Sequence, residues 1–230
     1  MPGVYQVYPK RKKNIFKGLS VTTQLIILNV LFWFIGALII GLYGKEYIAL
    51  IPDNIVHGKY LWTFLTSMFM HGGLFHLFVN MLSLFFVGSL IEKILGKKRY
   101  IWFYLISGLF AGLLYVVLSY LFKDFTWGVS IFGSVIGPAV GASGALFGVI
   151  GLLMILTPNL PVYLMFIPIP IKMKYAAPGM LIVLWLISVA GNVGIGNSAH
   201  LGGLVIGLIY GVYLRKRYKK KTNYISKHFS

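Results

Sequence analysis

The sequence predicts an all-α polytopic membrane protein, folded as a bundle of six transmembrane helices. Hydrophobic residues make up 58% of the 230 positions and charged residues only 11%, an apolar excess beyond that of ordinary soluble domains. Five long intervals also carry no Lys, Arg, Asp or Glu. They cover residues 18–44, 60–91, 100–122, 125–171 and 175–214. Because a bilayer core needs about 20 helical residues, each interval is long enough for at least one crossing.

The first three intervals each predict one crossing. The first contains "VTTQLIILNVLFWFIGALIIGLY", which is too long for the core of a signal peptide and ends without a cleavage site of small residues. We therefore expect a retained helix.

The fourth interval, 125–171, cannot be one helix, since its 47 residues would extend about 70 Å. Pro138 and its neighbouring glycines interrupt it at the front, and four prolines end it behind: Pro158, Pro161, Pro168 and Pro170. One helix over about 141–156 remains. The preceding "DFTWGVSIFGSVIGPAV" is expected to be irregular apolar chain, which membranes tolerate only when protein covers it or when it lines a wet cavity.

The fifth interval is divided by "GNVGIGNS" at 191–198, whose glycines and asparagines indicate a turn. It therefore supplies two short crossings, at about 177–189 and 199–214, and the total becomes six.

Positive charge predicts the orientation. Of the 21 Lys and Arg residues, 18 fall in four segments: 10–17, 92–99, 172–174 and the tail. Six crossings put these segments on one face, as the positive-inside rule expects. We expect an integral, multi-pass protein of the cell membrane, with a basic cytoplasmic arm (1–20), a membrane domain (21–214) and a basic cytoplasmic tail (215–230). The net charge of +17 then reflects topology and contacts with anionic lipid headgroups, and no nucleic-acid partner is expected.

Strongly polar side chains at membrane depth are few and costly, so each is a candidate for function. The second crossing holds His71, His76 and Asn80, the fourth opens with Ser143, and the sixth holds His200. His76 and Asn80 are four residues apart and share a helix face. His71 would lie about 140° away around that helix and is not expected to join them. For each histidine taken alone, an interhelical hydrogen bond is the competing interpretation.

Ser143 begins its predicted helix, where free N–H groups and the helix dipole favour negative charge. Small residues follow in both this helix and the sixth: Gly141, Gly144, Gly148 and Gly151, then Gly202, Gly203, Gly207 and Gly211. Such repeats commonly serve packing alone. They also permit the close approach that a hydrogen bond between Ser143 and His200 requires, and a base within that reach makes a hydroxyl nucleophilic.

The charged residues limit the chemistry. None of the four acids lies in a hydrophobic crossing, so the sequence permits a Ser/His dyad without a carboxylate, and desolvation favours the neutral imidazole of His200. An HExxH zinc site is absent from the sequence, Ala145 stands where a lipase elbow needs glycine, and aspartyl chemistry would need two membrane carboxyls. No metal or organic cofactor is implied.

Three motifs together resemble the rhomboid family of intramembrane serine proteases: "HGGLFHLFVN", "GASGALFG" and "AHLGGLVIG". The resemblance implies that Ser143 is the nucleophile and His200 the general base. It implies an oxyanion hole formed by His76, Asn80 and the backbone N–H of Ser143. Phe147 takes a position where relatives often have a tyrosine stacked on the base.

The first outer loop departs from the family pattern. Relatives commonly carry a Trp-Arg pair where this chain has Trp62-Thr63. By the same resemblance, residues 45–60 would form a half-buried outer hairpin, and "GNVGIGNS" a movable cap over the pocket.

The sequence therefore predicts an intramembrane serine endopeptidase that cleaves transmembrane segments of membrane-protein substrates near the outer leaflet. Membrane lipids are its other expected partners, and the oligomeric state is left open. A non-catalytic relative that binds transmembrane helices would be marked by the loss of Ser143 or His200. A channel with a histidine relay would need polar residues continuing to the cytoplasmic side.

Overall fold

The structure, a computed structural model, describes residues 18–163, 169–191 and 193–228. Residues 1–17 of the arm predicted at 1–20, together with Pro168 and Asn192, lie outside the described residues. The helices in this part of the chain are α1 (Val21–Tyr43), α2 (Pro52–Val56), α3 (Thr63–Thr66), α4 (Leu74–Leu95), α5 (Lys97–Leu121), α6 (Thr126–Phe132), α7 (Ser143–Leu156), α8 (Met173–Gly191), α9 (Asn197–Arg217) and α10 (Lys219–His228). A 3₁₀ turn covers Lys45–Tyr47, and two-residue strands β1 (Pro161–Val162) and β2 (Ile171–Lys172) pair antiparallel. The fold is an all-α polytopic bundle, as the sequence predicts.

Five of the described helices are long and apolar enough to cross a membrane: α1, α4, α5, α8 and α9. The helix α7 is apolar but has only 14 residues, or about 21 Å of length against a hydrocarbon core of about 30 Å. It is nevertheless the most enclosed, with nearly every side chain after Ser143 buried. The sixth crossing, by α7, therefore stays a prediction, because the two ends of so short a helix cannot both reach the membrane surfaces.

The last two membrane-length helices are longer than the sequence suggested. The helix α8 begins at Met173 instead of about 177, and α9 runs from Asn197 to Arg217 instead of 199–214. Both extensions take in basic residues, because long Lys and Arg side chains can reach water from a helix end. In α9 the basic residues lie in the last turn, where the C-terminal carbonyls also attract them. Within the predicted tail, α10 is a further helix.

The segment before Pro138 is not wholly irregular, which corrects the sequence-based expectation. It contains the short helix α6, whose last carbonyls would otherwise lack partners. Trp185 Nε1 donates to the carbonyl of Ile131 at 2.7 Å, and Ser198 Oγ donates to that of Phe132 at 2.8 Å. These side chains from α8 and α9 make a helical turn possible in a stretch rich in glycine and β-branched residues.

The outer loop between α1 and α4 pairs with the chain that leads to Ser143. Leu50 and Ala139 exchange both backbone hydrogen bonds, at 3.0 and 2.8 Å, and the Gly141 N–H donates to the Ser67 carbonyl at 2.8 Å. The loop is built from short helical turns with a buried segment at 48–51. Each irregular segment thus satisfies the backbone groups of the other, as an apolar environment demands.

Glycines bring α7, α9 and α5 into backbone contact at the centre of the bundle. A Cβ atom at Gly203 would overlap the Gly144 carbonyl oxygen, and one at Gly207 would overlap that of Gly148. On the third side, a Cβ at Gly144 would come within 2.7 Å of Ala111 in α5. Only small residues allow helix axes to approach so closely.

One acid lies inside a membrane-length helix, contrary to the expectation that none would. Glu92 is buried in the last turn of α4. Its Oε1 accepts from the Val21 N–H, and its Oε2 accepts from the Thr22 N–H and hydroxyl, each at 2.8 Å. The carboxylate therefore caps the N-terminus of α1, where free N–H groups and the helix dipole stabilise a negative charge.

Candidate active site

Ser143 is the first residue of α7. The preceding residue, Ala142, provides no side-chain cap, so the amides of Ser143, Gly144 and Ala145 have neither a helical carbonyl nor a capping side chain among the described residues. Gly141 reaches this turn with φ of 129°, a conformation that residues with a Cβ rarely adopt. The backbone thus turns sharply and presents the Ser143 hydroxyl beside several unpaired N–H groups.

His200 approaches Ser143 from the first turn of α9. Its Nε2 lies 2.8 Å from the Ser143 Oγ, within the range for a hydrogen bond between nucleophile and base. The imidazole is buried and stacks on Phe147, with ring centroids 4.6 Å apart and planes 19° apart. Phe147 lies one turn beyond Ser143 in α7, so this helix supplies both the hydroxyl and the ring on which the imidazole stacks.

His76 borders the same point from α4. A Cβ atom placed on Gly141 would lie 3.0 Å from the Nε2 of His76 and 3.6 Å from the Oγ of Ser143. Glycine at 141 therefore leaves room for the His76 ring beside the serine. The ring is partly exposed, so it lines the accessible side of the site.

Asn80 lies one turn further along α4 and is buried. Its Nδ2 donates to the His76 carbonyl at 2.9 Å, a bond within its own helix. This bond uses one of the two amide protons, and the other stays available. The structure brings Asn80 onto the same face as His76 but gives it no direct contact with Ser143.

His71 lies nearer the site than the sequence predicted. The helix α4 begins only at Leu74, so helical spacing does not apply to His71, and the angular argument was wrong for that reason. Its ring packs edge-on against His76, with centroids 5.1 Å apart, and its Nε2 lies 3.5 Å from the Ala142 backbone nitrogen. His71 thus contacts the segment of backbone that leads to Ser143.

The Trp62-Thr63 pair is held within its own loop. The Thr63 hydroxyl is buried and donates to the Tyr60 carbonyl at 2.7 Å, while Trp62 Nε1 donates to the Tyr47 carbonyl at 3.0 Å. Threonine at 63 thus makes a local backbone contact within the loop.

Asn197 is a buried polar residue in the first turn of α9. The sequence predicted only that it lies in a turn. It is 2% exposed, and neither its Oδ1 nor its Nδ2 has a hydrogen-bond partner among the described residues. The sequence signal was its position three residues before His200, which places the two side chains on one helix face.

Two cavities of about 630 and 570 Å³ lie away from Ser143 and His200. The first lies beside Lys93 and Lys97, and the second beside Arg215, Lys216 and Lys219. Basic residues of this kind are suited to contact with anionic lipid headgroups. Within the described ranges, no three His, Asp or Glu side chains are grouped as metal ligands.

The fold and the site together define a class, a polytopic helical membrane protein with a buried hydrogen-bonded Ser and His pair. The chain belongs to the rhomboid family, because the family model described as Rhomboid domain matches residues 58–217. This match covers every helix from α3 to α9, including the three motifs. Membership of the family supports intramembrane serine protease function.

Named rhomboid proteins resemble the chain along most of its length. It is 37% identical over 168 residues to RHOMBOID-like protein 1 of Arabidopsis thaliana, covering 71% of this chain and 37% of the relative. It is 32% identical over 166 residues to Rhomboid protein 1, mitochondrial, of Saccharomyces cerevisiae, covering 67% and 42%. RHOMBOID-like protein 7 of Arabidopsis thaliana is 34% identical over 173 residues, covering 72% and 47%. The chain thus matches less than half the length of these relatives.

Proposed function

We propose that the chain is an intramembrane serine endopeptidase that hydrolyses a peptide bond in a transmembrane segment of another membrane protein. The observation that carries the proposal is the 2.8 Å contact between His200 Nε2 and Ser143 Oγ in a buried site. A structural serine in a membrane helix normally bonds a carbonyl of its own helix, whereas this one faces an imidazole on another helix.

In the proposed reaction, His200 Nε2 takes the proton of the Ser143 hydroxyl as its oxygen attacks the scissile carbonyl carbon. The protonated His200 then gives that proton to the leaving amine, and an acyl-enzyme remains on Ser143. A water molecule attacks the acyl carbon with His200 again as base, which releases the carboxylate product and restores the hydroxyl.

The negative oxygen of the tetrahedral intermediate would be stabilised by the Ser143 N–H, His76 and Asn80. The geometry favours this assignment, because the N–H groups at the start of α7 are uncapped and the His76 ring stands beside the hydroxyl. Donors held in position before the reaction act strongly in a site that excludes water.

Charge supports cleavage near the outer leaflet. Both α7 and α9 begin at the dyad, and α9 ends in Arg215, Lys216 and Arg217. By the positive-inside rule, the basic end faces the cytoplasm and the dyad lies toward the opposite leaflet, with both termini cytoplasmic. A substrate must expose a backbone carbonyl there, so segments with weak helix propensity are the expected substrates.

The first prediction concerns the dyad. In membranes, a serine-reactive fluorophosphonate should label the wild-type protein, and Ser143→Ala should abolish labelling. We expect His200→Ala to slow labelling at least about 10³-fold, because loss of either dyad member removes nearly all of the rate acceleration that the two residues provide together. Cleavage of a model transmembrane substrate should fall in parallel.

Ser130→Ala is the matched control, since its hydroxyl bonds the Thr126 carbonyl within α6 at 3.1 Å and lies apart from His200. It should label like the wild type. Equal labelling of Ser143→Ala and wild type would reject the proposal and favour a non-catalytic, helix-binding relative.

A further inference from the structure

Two buried polar groups at the start of α9 lack hydrogen-bond partners in the described part of the chain. One is the ring nitrogen Nδ1 of His200, and the other is the side-chain amide of Asn197. A dyad needs a proton on Nδ1, because only then does Nε2 carry the lone pair that accepts the Ser143 proton. Something must hold this tautomer, and no carboxylate among the described residues contacts His200.

The positions of the two residues bring these groups to one place. Asn197 and His200 are three apart in the first turn of α9, where residues i and i+3 have Cβ atoms about 5–6 Å apart. Side chains in a helix lean toward its N-terminus, so the imidazole of His200 leans toward Asn197. Since His200 Nε2 is bonded to the Ser143 hydroxyl, Nδ1 is the ring nitrogen left without a partner among the described residues.

A bridged contact would satisfy both groups. Asn197 makes no direct bond to His200, although its Oδ1 can accept and its Nδ2 can donate. Buried polar atoms without a protein partner are commonly satisfied by an ordered water, which needs at least two polar neighbours. Asn197 and His200 Nδ1 provide those neighbours.

We propose that Asn197 is a positioning residue, which holds His200 in the Nδ1–H tautomer through one water molecule accepting from Nδ1 and donating to Asn197 Oδ1. The inference rests on the proposed protease function and deepens it. It supplies the third member that the Ser143 and His200 pair lacks, as a neutral group that needs no buried charge. The proton on Nδ1 stays in place throughout the reaction.

Three substitutions at 197 test this role. Asn197→Leu keeps the volume and removes both polar atoms. We expect the rate of fluorophosphonate labelling and kcat to fall at least about tenfold. This loss is smaller than the roughly 10⁴-fold loss of kcat that a wrong histidine tautomer causes in a triad. Asn197→Ala should behave like Asn197→Leu. Asn197→Asp keeps the acceptor oxygen and should retain most of the rate, with KM unchanged in all three.

Asn29→Leu is the matched control. Asn29 is also a fully buried asparagine whose Oδ1 has no partner in the described structure, but it lies in α1, away from the dyad. It should leave kcat within about twofold. Thermal unfolding of each variant gives the folded fraction by which its rate is corrected. If the leucine variant does not fold, the comparison of Asn197→Asp with Asn197→Ala decides the outcome.

A second readout does not depend on activity. Nitrogen NMR of histidine-labelled protein distinguishes Nδ1–H from Nε2–H imidazole, and the His200 signal is the one lost in His200→Ala. We expect the Nδ1–H form in the wild type and in Asn197→Asp, and a mixture in Asn197→Leu.

An unchanged tautomer and labelling rate in Asn197→Leu would overturn the inference while leaving the dyad intact. A raised KM with unchanged kcat would overturn it in favour of substrate contact. Failure of the dyad itself would instead appear as labelling that persists in Ser143→Ala.

Discussion

At the scale of single residues, the site depends on how one imidazole is oriented without an adjacent carboxylate. Phe147 restricts the His200 ring from one face, and the Ser143 hydroxyl fixes the Nε2 edge. The sequence predicted the contact between Ser143 and His200 from the small residues of both helices, and the stacking of Phe147 through the family resemblance. It did not predict the position of His71, because the start of α4 at Leu74 depends on the glycines before it and on the packing of the outer loop.

Replacement of Phe147 by leucine should slow catalysis without unfolding the protein. Leucine keeps apolar volume but cannot stack on His200, and aromatic pairs contribute about 0.5–1.5 kcal/mol beyond buried area. We expect kcat to fall roughly 2- to 10-fold, measured with a model transmembrane substrate.

Phe103→Leu provides the comparison, since Phe103 stacks on Tyr210 at 5.1 Å rather than on His200. It should leave kcat within about twofold. A similar loss of kcat in both variants would mean that Phe147 acts through general packing.

At the scale of elements, the dyad requires α7 and α9 to touch along their glycines. Glycine at 144, 148, 203 and 207 serves backbone contact, since added Cβ atoms would meet the neighbouring chain. The sequence predicted that both helices had small faces. Which faces met, and at what offset, depended on α5 closing the third side of the contact.

Gly203→Ala should separate the two catalytic helices. Its Cβ would overlap the carbonyl oxygen of Gly144, the residue next to Ser143. Overpacking of this kind costs about 1–3 kcal/mol of stability, and a displacement of about 1 Å at a reacting group can cost about 10²-fold in rate. Activity should therefore fall further than the folded fraction, as measured by labelling and thermal unfolding.

Gly179→Ala is the matched change in α8, where a Cβ atom would meet nothing within 4 Å. We expect it to be neutral or slightly stabilising, because alanine has the higher helix propensity. Wild-type activity in Gly203→Ala would show that the helices can shift without loss of the dyad.

At the scale of the whole molecule, the buried carboxylate of Glu92 joins α1 to the rest of the bundle. It accepts three hydrogen bonds from Val21 and Thr22, whereas the nearest contacts at the glycines of α7 and α9 involve no residue of α1. The Glu92 cap therefore holds α1 in place, and the glycine contacts set the positions of Ser143 and His200.

Glu92→Gln should lower thermal stability more than it lowers the activity of folded protein. The amide keeps one acceptor oxygen but turns a donor toward backbone N–H groups, and a buried N–H left unpaired costs about 1–3 kcal/mol. It also removes the negative charge at the α1 dipole. Thermal unfolding in detergent measures the first effect and labelling per folded molecule the second.

Asp124→Asn removes the same charge from an exposed residue and should change the unfolding temperature little. If Glu92→Gln were as stable as the wild type, the cap would contribute nothing to holding α1.

The sequence by itself determined the class of protein, the membrane-length helices and the identity of the polar residues at membrane depth. These follow from local properties, since hydrophobic length, helix-breaking residues and charge act within one segment. Only the tertiary structure decided that α6 is helical and that Glu92 caps α1. Each of these depends on a partner from a distant part of the chain, and hydrophobic patterning carries no information about which distant groups will meet.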